Sequence, residues 1–239
     1  MLLNVYAKLT CGDFDDMGFY PVNLQLANRP CVVIGGGGVA RRKVEGLLAA
    51  EAEVTVISPE LEEQLGRLHQ AGALRWLPRE YREGDLAGAF LVIAATDDEA
   101  VQARVHAEAG RDNLLLNVAD VPKWCNVILP AVLRRGALSL AISTGGASPA
   151  LAGQLRRELE TKFGDEYRLL VDLLAALRPL VLARGGEQSE NCRCFKELVA
   201  AELATWIRQQ RWDLVRRQVE SCVGGAEAVA VVDRFANEE

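Results

Sequence analysis

Histidine is nearly absent from this 239-residue chain: His69 and His106 are the only two. Both fall in stretches with helical spacing, where surface or packing roles are expected. The scarcity excludes a multi-histidine metal site and leaves acid–base work to carboxylates. Long apolar runs are missing too, since none approaches the ~20 residues that a membrane helix needs. No basic flank followed by an apolar stretch opens the chain, so a signal peptide is not expected and a cytoplasmic location is. Positive charge is not in excess. With 27 Lys and Arg against 33 Asp and Glu, a net charge of −6 and a pI near 5.2, nucleic-acid and membrane-surface partners are disfavoured. Any anionic ligand must then be held by local positive charge. The six cysteines form no Cys-x-x-Cys pair. Reduced thiols are the expectation, with metal binding or redox sensing by Cys192 and Cys194 as the alternative.

One absence is local. From Val121 to Arg157 there is no Asp or Glu, while Lys123, Arg134, Arg135, Arg156 and Arg157 all fall there. At the chain's mean density about five acids would be expected in that window. Just before it stands Asn117-Val118-Ala119-Asp120-Val121-Pro122-Lys123, which places one carboxylate past an apolar run on a turn set by Pro122. Strand-end loops of this kind carry chemistry in α/β proteins. A lone acid facing a basic, acid-free stretch suggests a proton acceptor beside a polyanionic ligand. The alternative is a polar strand end beside an ordinary apolar segment.

Half of the chain is apolar, and its length suffices for one sizeable core plus a smaller second unit. Apolar β-branched runs at Cys31–Ile34, Val54–Ile57, Leu74–Leu77, Phe90–Ala94 and Leu114–Val118 read as strands. Helical spacing falls at Val39–Ala50, Pro59–Ala71 and Asp98–Gly110. Strand alternating with helix predicts a Rossmann-type, doubly wound parallel sheet. On the first of these helices Val39, Leu47 and Leu48 are expected inward, and Arg41, Arg42, Lys43 and Glu45 outward. After Val118 come two apolar segments joined by a turn at Arg134-Arg135-Gly136. Helices follow at roughly 149–163, 165–183, 193–210 and 212–222, with a linker at Arg184–Asn191. The expected division is an NAD-binding domain over 17–116, a dimerisation and catalytic segment over 117–148 and a helical C-terminal domain over 149–225. Residues 1–16 are expected to be a disordered extension.

Gly35-Gly36-Gly37-Gly38-Val39-Ala40 matches G-x-G-x-x-A directly after a strand and before a helix. Gly35 permits the tight turn, Gly37 lets the backbone approach a pyrophosphate, and Ala40 lets helix and strand pack closely. This points to a bound dinucleotide; a glycine-rich turn without ligand is the alternative. The acid usually found at the end of the second strand is missing. Ser58 stands there, followed by Pro59 and Glu60, which weakens the usual argument for NAD over NADP. Arg41 and Arg42 are candidates to meet a 2′-phosphate, or a solvated helix face. At the end of the fourth strand the small Ala94 and Ala95 would let a nicotinamide or ribose lie close and Thr96 offers a hydroxyl, while Asp97 or Asp98 is expected to cap the next helix rather than act in catalysis. Ser143-Thr144-Gly145-Gly146-Ala147-Ser148-Pro149 is a second glycine turn, with Ser148 as N-cap and Pro149 at the first helical position. Its free N–H groups attract a carboxylate or phosphate, with Arg156 two turns on; a capped helix start without ligand is the alternative.

Taken together, these motifs resemble the precorrin-2 dehydrogenase family, the dehydrogenase part of siroheme synthases. The matching pieces are Tyr20-Pro21-Val22, Gly35 to Lys43, Ala94 to Asp98, Asn117 to Pro122, Leu129-Pro130 and Ser143 to Ala152, in order over about residues 18–185. The resemblance implies NAD-dependent oxidation of precorrin-2 to sirohydrochlorin, and a homodimer. It implies Asp120 as the catalytic acid or base, and cofactor contacts from Gly38, Val39 and the Ser58-Pro59-Glu60 turn. Asn117 joins Gly35, Gly37, Ala95 and Thr96 as cofactor-binding candidates. Lys123, Ser143, Gly145, Gly146, Ser148 and Arg156 are the candidates for holding the carboxylate-rich tetrapyrrole. No resident metal is expected. Some members of the family also insert iron into sirohydrochlorin, so a bifunctional enzyme is one rival reading, and a non-catalytic dinucleotide sensor is another. The segment Asn126-Val127-Ile128 lacks the phenylalanine often found there in the family.

Overall fold

The computed structural model describes residues 18–185 and 188–237; the extension expected over residues 1–16 lies outside them. The chain forms two compact units, one running to Leu129 and taking in Gly145–Ala147, the other made of Pro130–Thr144 and the chain from Ser148 onward.

In the first unit, strands β1 (Pro30–Ile34), β2 (Glu53–Ile57), β3 (Arg75–Leu77), β4 (Leu91–Ala94) and β5 (Leu115–Val118) form one sheet in the order β3-β2-β1-β4-β5. Every neighbouring pair is parallel. Helices α1 (Gly38–Leu48), α2 (Glu63–Gln70) and α3 (Glu99–Arg111) complete the alternation, as the sequence predicts. Both faces of the sheet are covered, which is why its strands read as continuous apolar runs. Cys31 and Val33 pack with Ala40, Val44 and Leu47 of α1, whereas Val32 and Ile34 pack with Val105 and Ala109 of α3. The winding reverses between β1 and β4, and ligands of open α/β sheets bind beyond the strand ends at that point.

The inward stripe of α1 differs from the expectation. Ala40, Val44 and Leu47 are buried and Val39 is exposed. Val39 lies in the first turn, where the helix has only just left the sheet edge. Lys43, expected outward, is half-buried beside that stripe. Helix α2 begins at Glu63, four residues later than predicted from Pro59, because the intervening chain folds back over the glycine turn.

A buried carboxylate ties the loop after β3 to α3. Glu108 is 2% exposed and accepts hydrogen bonds from the Tyr81 hydroxyl, from Gly84 N–H at 3.0 Å and from Leu86 N–H at 3.0 Å. Burial, followed by the Glu108 contact, pushes the Tyr81 phenol well above its ordinary value. Glu108→Ala leaves these donors without a partner, and a loss of about 3 kcal/mol is expected from unsatisfied buried groups. Urea denaturation of the variant checks this, and an unchanged midpoint would refute it.

In the second unit, β6 (Ala131–Arg135) and β7 (Leu138–Ile142) form an antiparallel hairpin. Its two-residue turn starts at Gly136 with φ 56°, as a type II′ turn requires. Helices α4 (Pro149–Lys162), α5 (Glu166–Ala183), α6 (Gln188–Ala200), α7 (Leu203–Arg208), α8 (Trp212–Cys222) and α9 (Ala226–Asn237) follow. Leu169, Leu173, Leu177 and Val181 make one buried stripe along α5, packed with Leu198, Leu203, Val215, Val219 and Val232. The helix expected over 193–210 is two helices: α6 starts earlier, inside the expected linker, and ends at Ala200. The break turns Leu203 and Ile207 of α7 into the same core as Leu198. Helix α9 was not expected; Ala228 and Val232, four apart, bury its inner face.

Glu166 opens α5 and pairs with Arg208 of α7. Burial raises its carboxyl, but the Arg208 guanidinium and the Gly164 N–H outweigh that and hold it below the ordinary 4.5. A depressed carboxyl contributes stability above the unfolded value, and that contribution is lost as pH falls through the folded value. Stability is therefore expected to decline on acidification below about 4.5. Arg208→Ala should flatten that decline in thermal melts across the acid range; an identical slope would remove the pair from the account.

Candidate functional site

The C-terminal edge of the sheet is built by close backbone approaches. Gly35 N–H donates to the Ile57 carbonyl at 2.9 Å, Ala95 N–H to Ile34 at 2.7 Å and Ala119 N–H to Ala94 at 2.8 Å. Four strand ends, β2, β1, β4 and β5, are thus stitched side by side. Gly35 has φ 114°, and a Cβ there would stand 2.4 Å from the Ala95 carbonyl oxygen. At Gly36 a Cβ would stand 2.0 Å from the Glu60 carbonyl oxygen and 2.8 Å from Ser58 Oγ. The next two glycines face the opposite situation. Nothing lies within 4 Å of a Cβ at Gly37, and at Gly38 only a Glu62 carboxylate oxygen does, at 4.0 Å.

The first two glycines are therefore demanded by packing. The next two leave exposed, unfilled space at the N-terminus of α1, and Gly37 caps that helix without any side-chain partner. Helix N-termini with free N–H groups and open access suit a pyrophosphate, so these residues fit a dinucleotide.

The Ser58-Pro59-Glu60 turn lies across this cradle. Ser58 is 8% exposed, and its carbonyl accepts from Trp76 Nε1 at 2.9 Å. Pro59 and Glu60 are exposed, and Glu62 N–H donates to the Gly36 carbonyl at 2.8 Å. Across the sheet, Ala95 and Thr96 are half-buried. The Thr96 hydroxyl accepts from Asp98 N–H at 3.2 Å, and Asp98 caps α3 through Ala100 and Val101.

Asn117 is buried, and its amide donates to the Val127 carbonyl at 2.9 Å, bracing β5 against the following loop. Asp120 is exposed at the end of that strand, in the left-handed region at φ 61°. Pro122 then opens a 3-10 turn (Pro122–Trp124), with Lys123 Nζ 5.5 Å from the Trp124 ring. His106 stacks on the same Trp124 ring, with 5.4 Å between ring centroids.

Two groups here were missed. Lys43 is withdrawn from water and lies within electrostatic reach of Asp120 and Cys125. Burial lowers its ammonium most, Arg42 adds to that, and Asp120 and Cys125 partly restore it. Its sequence signal was its place between Ala40 and Val44, at the margin of the buried stripe. Glu62 was assigned no role, having been placed within a helix that starts only at Glu63.

In the second unit Ser148 Oγ accepts from Leu151 N–H at 3.2 Å, and Ser148 N–H donates to Thr144 Oγ1 at 2.9 Å. Ser143 follows β7 directly, and Gly145 and Gly146 have φ 63° and 90°. Arg156 is ion-paired with Glu160 along α4. Among the described residues no group of three or more His, Cys, Asp or Glu is placed to hold a metal ion. No described helix is long and apolar enough to cross a membrane.

The sheet order, the glycine cradle and the open helix N-terminus define a nicotinamide-dinucleotide-binding α/β protein. Comparison with known proteins agrees: the NAD(P)-binding family model NAD_binding_7 matches residues 22–131, and the model for the sirohaem biosynthesis protein central region matches 135–162. The chain is 42% identical to a siroheme synthase of Methylobacillus flagellatus over 205 residues, 86% of this chain and 44% of that one. It is 37% identical to siroheme synthase 3 of Aeromonas hydrophila over 186 residues, 78% of this chain and 40% of that one. It thus spans about two fifths of the length of the curated relatives it matches. The solved structure of SirC, precorrin-2 dehydrogenase, superposes with a TM-score of 0.71 at 30% identity, over 84% of this chain and 98% of that one. The chain belongs to the precorrin-2 dehydrogenase family, the dehydrogenase part of siroheme synthases.

The two kinds of glycine should respond differently to a methyl group. Gly36→Ala is expected to lower the melting temperature, because the Glu60 backbone must move. Gly37→Ala should melt like the parent yet bind dinucleotide at least about tenfold more weakly, its Cβ filling the approach to the pyrophosphate. Calorimetric titration beside thermal melts tests both; equal affinity in Gly37→Ala would count against the cradle.

Proposed function

We propose that the protein oxidises precorrin-2 to sirohydrochlorin with NAD as acceptor, Asp120 acting as general base. The observation that carries this reading is the placing of Asp120 on the same sheet edge as the glycine cradle, one strand beyond Ala95. Solved SirC, which bears the name precorrin-2 dehydrogenase, supports it at nearly full length. A nicotinamide dinucleotide, when bound in the glycine cradle, would supply a two-electron acceptor for the hydride that leaves a C–H bond of the macrocycle. Asp120 takes the accompanying proton, so that one hydride and one proton leave and a new double bond extends the conjugation. Its exposure leaves the carboxylate open to a substrate.

Gly35, Gly37, Gly38, Val39, the Ser58–Glu60 turn, Ala95 and Thr96 form the cofactor side of this proposal, with Asn117 acting through the loop that it braces. Lys123, with Ser143, Gly145, Gly146, Ser148 and Arg156, is assigned to the substrate's carboxylates, in a stretch free of competing acids. The proposal includes a cytoplasmic homodimer. Among the described residues β6 and β7 pair only with each other, which leaves a hairpin edge for a second copy.

Asp120→Asn is the informative variant, because asparagine tolerates φ 61° as aspartate does and keeps its shape. It should bind NADH as the parent does and lose roughly 10²–10⁴-fold in kcat, the usual contribution of a positioned base. Formation of NADH and of the sirohydrochlorin spectrum reports the result. Parental turnover in the variant would remove Asp120 from the chemistry.

A further inference from the structure

The strand-end acid that ordinarily receives the adenosine ribose is absent, since Ser58 stands at that place and is buried. Glu60, two residues on, presents its backbone carbonyl to Gly36. The carboxylate that turns back to the cradle is Glu62. Its N–H donates to the Gly36 carbonyl at 2.8 Å, which fixes where its side chain starts. One carboxylate oxygen lies 4.0 Å from the position of a Gly38 Cβ. The other is 3.0 Å from Arg41 Nε, yet it is buried and receives no directed hydrogen bond. The contact with Arg41 is thus one of charge alone, and a buried carboxylate oxygen without a donor is a costly arrangement. On its other side Arg41 donates to Glu45 Oε1 at 2.7 Å. The guanidinium nearest the cradle is held between two carboxylates.

Resting on the dinucleotide-dehydrogenase reading above, we propose that Glu62 takes the place of the missing strand-end acid: it accepts the adenosine ribose hydroxyls and excludes a 2′-phosphate. Two features produce the exclusion. A phosphate at the ribose would meet the Glu62 carboxylate, and like charges placed together are strongly disfavoured. The cation that would otherwise receive it, Arg41, is already engaged by Glu62 and Glu45. A ribose hydroxyl, in contrast, can donate to Glu62 Oε2, the carboxylate oxygen turned towards Gly38. The expected preference for NADH over NADPH is roughly 100-fold.

The test is direct titration of the whole protein with NADH and with NADPH, followed by nicotinamide fluorescence, with no turnover involved. Glu62→Gln should weaken NADH about tenfold and strengthen NADPH by a similar factor, so the ratio of the two dissociation constants contracts by roughly 100-fold. Glu62→Asp keeps the charge and shortens the reach, so it should weaken NADH without any gain for NADPH. Arg41→Ala added to Glu62→Gln should remove the NADPH gain and leave the NADH loss. Glu63→Gln, exposed in the first turn of α2 and paired with Arg67, should leave the ratio at the parental value. If the parent binds NADH and Glu62→Gln keeps the parental ratio, the role of Glu62 is overturned while the dinucleotide site stands. If the parent binds neither nucleotide, the dehydrogenase reading itself fails and this inference with it.

Discussion

The site depends on how closely the backbone can approach itself at the ends of β1, β2 and β4. Gly35 lies against the Ala95 carbonyl and Gly36 against the Glu60 carbonyl, at separations that leave no room for a Cβ. Because these contacts are backbone to backbone, no side-chain repacking can relieve them. They set the height of the glycine turn above the sheet, and with it the place where α1 begins and its N–H groups point. They also draw the Ser58–Glu62 chain over the turn. The glycine turn and the Ser58–Glu62 chain take their places from that one pair of contacts.

This explains what the sequence disclosed and what it withheld. The strands were legible because both faces of the sheet are covered, so each appears as an unbroken apolar run. The cap at Asp98 and the Ser148-Pro149 helix start were legible because capping is local chemistry. The start of α2 was not. Pro59-Glu60-Leu61-Glu62 has a composition that suits a first helical turn, but in the fold Glu62 N–H donates to the Gly36 carbonyl, a contact distant in sequence, and Glu62 is extended. Glu62 was overlooked for that reason. The division between α6 and α7 has a similar origin, since no proline or glycine marks it; the need to bury Leu198, Leu203 and Ile207 together decides it. Helix α9 follows Gly224-Gly225, and its inner face is short enough to pass for a tail.

The shortage of histidine has a counterpart in how the carboxylates are distributed. His69 has its Nδ1 3.3 Å from the Leu74 carbonyl and meets Trp76 edge-on, while His106 stacks on Trp124; neither stands on the strand-end rim. Acidic groups have separate places instead. Glu108 is buried and braces a loop, Glu62 is lodged beside the helix start, and Asp120 stands exposed at the end of β5. Their access to water differs sharply, although all three belong to one unit.

Lys43 links the two halves of that rim. It rides on α1, the helix that the glycine turn launches, yet the charges that restore its ammonium belong to Asp120 and Cys125 after β5. Burial and Arg42 both act against its charge, and Asp120 is the first-ranked influence in its favour. Asp120 thus favours the charged form of Lys43 from across the rim. A substitution that neutralises Asp120 therefore also removes an influence that favours the charged form of Lys43. The electrostatics of α1 are thus coupled to a carboxylate at the opposite strand, through a side chain that neither the glycine motif nor the aspartate turn contains.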